Sequence, residues 1–183
     1  MQIIDLSHND EKATQQCAQL LYESFKDHAP EAWPTIEAAL EEVQESLAED
    51  RVSRIALDND GSVIGWIGGI RQYNGHAWEL HPLVVKATER RKGIARLLVR
   101  DLEAIVKARG AVTLYLGTDD EDNQTSLSNI DLYPNVWEHV RTIENRDHHP
   151  YAFYLKMGFV IVGVLPDANG PGKPDIFMAK RIA

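Results

Sequence analysis

The chain has 183 residues, 44% of them hydrophobic and 26% charged, with a formal net charge of −9 and one cysteine, Cys17. That length suits one domain, residues 1–183, while a lone cysteine excludes an internal disulfide and a cysteine-held metal and fits a reducing cytoplasm. The acidity argues against nucleic acid, whose phosphates call for a basic face, and neither a membrane span nor a signal peptide is expected from the apolar runs or the N-terminus.

Gln2 to Leu6 predicts a short strand. Asp10 to Lys26 carries Ala13, Cys17, Leu20, Leu21 and Phe25 at helical spacing, with Asn9 or Asp10 as the cap. Pro30 to Pro34 is a break, and Thr35 starts a second helix through about Ala48, with Ile36, Leu40, Val43 and Leu47 on one face. Three strands follow, Arg51 to Leu57, Ser62 to Tyr73 and Trp78 to Val85, joined by turns at Asn59-Asp60-Gly61 and Tyr73-Asn74-Gly75-His76. Next come a helix from Ile94 to Ala108, closed by Arg109-Gly110, and a strand from Val112 to Leu116 that enters Gly117-Thr118. Gln124 to Asn145 reads as a loop with a helix near Asn135 to Ile143. Pro150 opens a helix over Tyr151 to Lys156. Strands at Phe159 to Leu165 and Ile176 to Arg181 flank a loop from Pro166 to Pro174. This order predicts a mixed α/β domain.

The most informative stretch is Arg90-Arg91-Lys92-Gly93-Ile94-Ala95, between a strand and a helix. The first amides of a helix lack partners inside it, and the aligned peptide dipoles make that end positive. Gly93 has no Cβ, so a pyrophosphate can come close to the backbone, and three basic side chains add charge. On charge alone this would read as a solvated turn; strand, turn and helix in register favour phosphate. The acids are also concentrated. Residues 27–50 hold Asp27, Glu31, Glu37, Glu41, Glu42, Glu45, Glu49 and Asp50 without a Lys or Arg, and residues 119–122 read Asp-Asp-Glu-Asp. A glutamate-rich helix face is usually just solvated. Four consecutive acids after a strand repel one another, which a cationic ligand would relieve.

Leu83-Val84-Val85 followed by Arg90, Gly93 and Ala95 in an Arg-x-x-Gly-x-Ala pattern resembles the acetyl-CoA site of the GNAT superfamily of N-acetyltransferases. Ala152-Phe153-Tyr154-Leu155-Lys156-Met157-Gly158-Phe159 is similar to that family's second signature. Trp78 to Val85, Tyr115 to Asp120, His149-Pro150-Tyr151, Val162 to Gly170 and Lys173 to Ile176 narrow the resemblance to bacterial aminoglycoside 6'-N-acetyltransferases. It covers about Ile55 to Ile182; the N-terminal helices match through little more than Trp33-Pro34. Ala95 stands where many relatives have a second glycine. The resemblance implies a mostly antiparallel sheet splayed between its fourth and fifth strands, flanked by helices. It also implies acetyl-CoA as co-substrate, an aminoglycoside as acceptor, and a homodimer, with no metal expected.

Acetyl transfer from a thioester to an amine asks for a neutral amine, a donor to the developing oxyanion and an acid for the departing thiolate. Pro82 has no N–H and favours a bulge or splayed strand. The resemblance puts the thioester carbonyl on the Leu83 amide and the pantetheine along Val84 and Val85. Arg90, Arg91, Lys92, Gly93, Ile94 and Ala95 are expected at the diphosphate, and the expected cofactor set also includes Thr118 and Asp119. Glu79 is the candidate base, acting through a water or by orienting the cation. His81, two residues on, should share its strand face as a proton relay or hydroxyl partner; an anchoring role at the bulge is an equal reading. Tyr154 is the candidate acid, because a phenol titrates above a thiol and Phe153 and Met157 are the better core residues of its helix. For a polycationic acceptor, the candidate carboxylates are Glu79, Asp119, Asp120, Asp122, Glu144 and Asp167, and the candidate aromatic walls are Trp33 and Tyr73. His148-His149 lies before a proline with no third ligand nearby. Alternative readings are acetylation of a polyamine or amino sugar, and a non-catalytic acetyl-CoA-binding module.

Overall fold

The structure is a computed structural model describing residues 1–183, and it divides into two compact units. The first comprises residues 1–112 with 182–183, and the second residues 113–181. The first unit contains β1 (Gln2–Asp5), α1 (Glu11–Phe25), α2 (Ile36–Glu45), β2 (Arg51–Leu57), β3 (Val63–Gln72), β4 (Ala77–Val85) and α3 (Ile94–Ala108). The second contains β5 (Thr113–Asp119), α4 (Val136–Arg141), α5 (Tyr151–Lys156), β6 (Val160–Leu165) and β7 (Asp175–Arg181).

In the first unit, β1, β2, β3 and β4 pair antiparallel in that order. Trp66, Ile55 and Val84 on one face join Cys17, Leu21, Ala39 and Val43 of α1 and α2 in a buried core. On the other face Gly65 and Gly69 leave room for Ile94, Leu98 and Leu102 of α3. Asp10 caps α1 through the Ala13 amide (2.9 Å), and Thr35 caps α2 through the Ala38 amide (3.2 Å). The regular part of α2 stops at Glu45, three residues before the expected Ala48. There the chain tightens, as the Leu47 and Ala48 amides donate to the carbonyls three residues back, at Gln44 and Glu45. The Ser46 hydroxyl reaches the Val43 carbonyl and the Ser53 hydroxyl, which also accepts from the Trp66 indole at 2.9 Å. Arg54 joins β1 to α3 by pairing with Asp5 and Asp101, each at 2.7 Å.

In the second unit β7 lies between β5 and β6, antiparallel to both. β5 runs three residues past the expected Leu116, because β7 continues to pair with it through Asp119 opposite Asp175. The stretch 124–145 is mostly loop, with a 3-10 turn at Tyr133–Asn135 leading into a short α4.

Candidate active site

The β3–β4 pairing slips one residue where function was expected. Ile67 faces Leu83 and Gly69 faces Leu80, so His81 and Pro82 together oppose Gly68. This is a β-bulge, at the residue that has no amide hydrogen to contribute to a ladder. A Cβ at Gly68 would collide with the His81 carbonyl oxygen, so glycine is the residue that admits the bulge. The extra residue also changes which face each side chain takes. Before it, Glu79 pairs with Ile70; after it, Val84 pairs with Trp66. Odd-numbered Glu79 and His81 therefore share the α1–α2 side with even-numbered Val84, while Trp78 and Leu80 turn toward α3.

Around His81 the first unit gathers further groups. The Trp33 ring lies 5.8 Å from the His81 ring and packs edge-on against Phe25 at 4.8 Å. Glu42 of α2 brings Oε1 to 3.9 Å from His81 Nε2 and to 3.7 Å from an Arg51 guanidinium nitrogen. Glu79 and His81 are both half-buried, on the same face of β4. Trp33, a candidate aromatic wall, thus lies beside His81. Glu42 was hidden in a run of helix acids. Its signal was helical phase: it lies three residues after buried Ala39 and one before buried Val43, at the margin of the packed stripe. Tyr73 stands at the β3–β4 hairpin tip, 75% exposed, with φ +48°.

The basic turn has the expected geometry. Gly93 precedes α3 with φ +88°, and no protein atom lies within 4 Å of a Cβ built on it. The left-handed backbone, not packing, accounts for glycine there. Leu97 is the first helix residue to donate back, to the Gly93 carbonyl at 3.1 Å, so the amides of Ile94, Ala95 and Arg96 face outward from the helix start. No side chain caps this end. Arg90, Arg91 and Lys92 are exposed; Lys92 pairs with Glu89 at 3.0 Å and Arg90 Nε donates to the Val85 carbonyl at 3.3 Å. Open amides, basic side chains and an unobstructed glycine suit a diphosphate.

In the second unit the acids are mostly engaged. Asp120 is fully buried: its carboxylate accepts from the amides of Gln124 (2.7 Å) and Thr125 (2.8 Å) and from the Ser128 hydroxyl. Burial opposes its charge, but these hydrogen bonds prevail and hold it below the usual aspartate value. Expected at the acceptor, Asp120 instead orders the loop behind β5. Asp119 is exposed and accepts from the Asn169 amide at 2.5 Å, and Glu121 pairs with Lys173 at 3.4 Å. Asp167 accepts from the Gly172 amide at 2.6 Å and so shapes its own loop. Asp122 and Glu144 are exposed, and Thr118 is buried.

Tyr154 is buried against Phe159 and Phe153, with ring centroids 5.6 and 5.1 Å away. It is more enclosed than Phe153, contrary to the expected division of α5 into faces. Burial pushes its phenol well above the ordinary tyrosine value, so the hydroxyl keeps its proton.

The model of the acetyltransferase (GNAT) family matches residues 18–159. Among solved structures, an aminoglycoside 6'-N-acetyltransferase complexed with coenzyme A is similar at 42% identity and TM-score 0.91, covering 100% of this chain and 98% of that one. The aminoglycoside 6'-N-acetyltransferase from Enterococcus faecium is similar at 44% identity and TM-score 0.90 over the same shares. An aminoglycoside 6'-acetyltransferase type Ii follows at 36% identity and TM-score 0.75, again covering 100% and 98%. No curated protein matches the chain. With a family match over most of the sequence and full-length likeness to its members, the chain belongs to the GNAT family of acetyl-CoA-dependent N-acetyltransferases.

Proposed function

We propose that the protein transfers acetyl from acetyl-CoA to the 6'-amino group of aminoglycosides. The observation that carries this reading is full-length likeness, at 42% and 44% identity, to two aminoglycoside 6'-N-acetyltransferases. Glu79, His81 and Glu42 support it by offering anionic and polar groups to a polycation beside the aromatic face of Trp33.

In this mechanism the α3 turn from Arg90 to Ala95 holds the coenzyme diphosphate, and β4 after the bulge takes the pantetheine along Val84 and Val85. The Leu83 amide donates to the developing oxyanion. Glu79 orients the ammonium and receives its proton directly or through water. His81 assists from the same strand face. Tyr154, held protonated by its surroundings, delivers a proton to the departing thiolate. Asp122 and Glu144 are exposed candidate carboxylates of the second unit for an acceptor. The protein is also read as a cytoplasmic homodimer. The buried single cysteine is consistent with a reducing compartment, and exposed Val160, Val162 and Leu165 on edge strand β6 would suit an interface. No helix is long and apolar enough to cross a membrane.

The test is thiol release from acetyl-CoA in the presence of kanamycin A and of a 6'-hydroxyl analogue. Turnover with the amine alone, and product acetylated at the 6' nitrogen, is expected. No turnover on any 6'-amino aminoglycoside, with turnover on spermidine, would overturn the substrate assignment but keep the chemistry. Coenzyme binding without turnover of any amine would overturn both.

A further inference from the structure

His149 is only 1% exposed, and both ring nitrogens are engaged. Nδ1 accepts the Tyr151 amide hydrogen at 3.2 Å. A nitrogen that accepts carries no proton, so in the neutral ring the hydrogen sits on Nε2. Nε2 lies 2.9 Å from the Asp119 carbonyl oxygen, which can only accept, so this tautomer satisfies both contacts. The backbone of His149 is gripped as well. Its amide donates to the Asn145 side-chain oxygen, and its carbonyl accepts from the Asn145 side-chain nitrogen, both at 2.9 Å. Asn145 in turn bridges to Thr125, whose amide donates to buried Asp120.

This network joins the end of β5 to the first residue of α5. That helix has only six residues, too few to hold its own geometry in water. Its position depends on what fixes its start. Tyr154 lies one turn beyond Tyr151, and its amide donates to the Pro150 carbonyl at 3.3 Å. We propose that His149 is a positioning residue: its neutral ring, clamped between the Asp119 carbonyl and the Tyr151 amide, sets the start of α5 and so the place of the Tyr154 hydroxyl. This rests on the reading of Tyr154 as the acid.

Protonation of Nδ1 would convert the acceptor into a donor facing the Tyr151 N–H and open the clamp. Burial holds the ring below the ordinary histidine value; the bond to the Asp119 carbonyl and the charges of Asp120 and Asp119 oppose this, and burial prevails. The neutral ring is therefore the working form at neutral pH. The clamp's contribution is complete above the ordinary histidine value of about 6.5 and is lost as pH falls through the lowered one.

The experiment combines a double-mutant cycle with ring-nitrogen NMR of the unaltered protein. His149→Ala should lower kcat roughly 10- to 100-fold, the loss expected for about 1 Å of misplacement, with KM for both substrates within about twofold. In a Tyr154→Phe background the same change should have almost no further effect. His149→Asn, whose side-chain oxygen can still accept the Tyr151 amide, should recover part of kcat. NMR should find a neutral ring protonated on Nε2 at pH 7. Unchanged kcat in Tyr154→Phe would overturn the acid role of Tyr154 and this inference with it. A loss in Tyr154→Phe, with His149→Ala either unaffected or additive, would overturn the inference alone. So would a ring protonated on Nδ1 at pH 7, a result that needs no variant to fold.

Discussion

The chain has two acidic regions, and the structure uses them in opposite ways. Residues 119–122, four acids after a strand, look built for a cation. Yet Asp120 is consumed by the amides of its own loop, Asp119 by Asn169 and Glu121 by Lys173. Residues 27–50 look like a solvated helix face. Yet one of their acids, Glu42, comes within 3.9 Å of His81 and 3.7 Å of Arg51. Charge density in a sequence says how many carboxylates are near one another. It does not say which of them the backbone has already claimed. A carboxylate just after a strand has free loop amides within reach, whereas one on a helix flank has none, because those amides are used inside the helix.

The largest effect is expected at the buried loop acid. Asp120→Ala should destabilise the fold by about 3 kcal/mol, since one buried amide, one part-buried amide and a buried hydroxyl lose their acceptor. Urea unfolding would measure it; an unchanged midpoint would mean that the loop does not depend on this carboxylate. The contribution also has a pH signature. Because the folded value is lowered, it is present above the ordinary aspartate range and should fade as pH drops below about 4, a dependence that Asp120→Asn should lack.

Next in size is the strand side. Glu79→Gln should lower kcat on the order of 100-fold with little change in KM for acetyl-CoA, as measured by steady-state thiol release. Wild-type kcat would end its role in the reaction. Glu42→Gln should act on the acceptor instead, raising KM for the aminoglycoside roughly tenfold, the loss of one ionic contact, with kcat nearly kept. Equal KM values would return Glu42 to the solvated face. The smallest effect belongs to Glu121→Gln. Its ion pair with Lys173 is partly exposed, so stability should change by less than about 1 kcal/mol, and a larger loss in urea would show that the acid run acts as a unit.

Most of the architecture was legible because it depends on short-range rules. Helical spacing in α1 and α3, a cap at Asn9 or Asp10, a helix start at Thr35 and the hairpin signals all appear within a few residues of where they act. The basic turn that opens α3 was legible for the same reason: Gly93 and its basic neighbours are contiguous. Pro82 announced its bulge, since a missing amide hydrogen is a property of one residue. The division of α5 into faces was not legible. Tyr154 proved better buried than Phe153 because Phe159 packs on it.

By itself, the sequence determined the order of elements, the bulge at Pro82 and the open helix start at Gly93, because each follows from local backbone chemistry. Tertiary structure alone decided that Gly68 would admit the His81 carbonyl and that Asp120 would turn inward. Those outcomes depend on which partner reaches a polar group first once water is excluded, and partners distant in sequence have no fixed spacing to read.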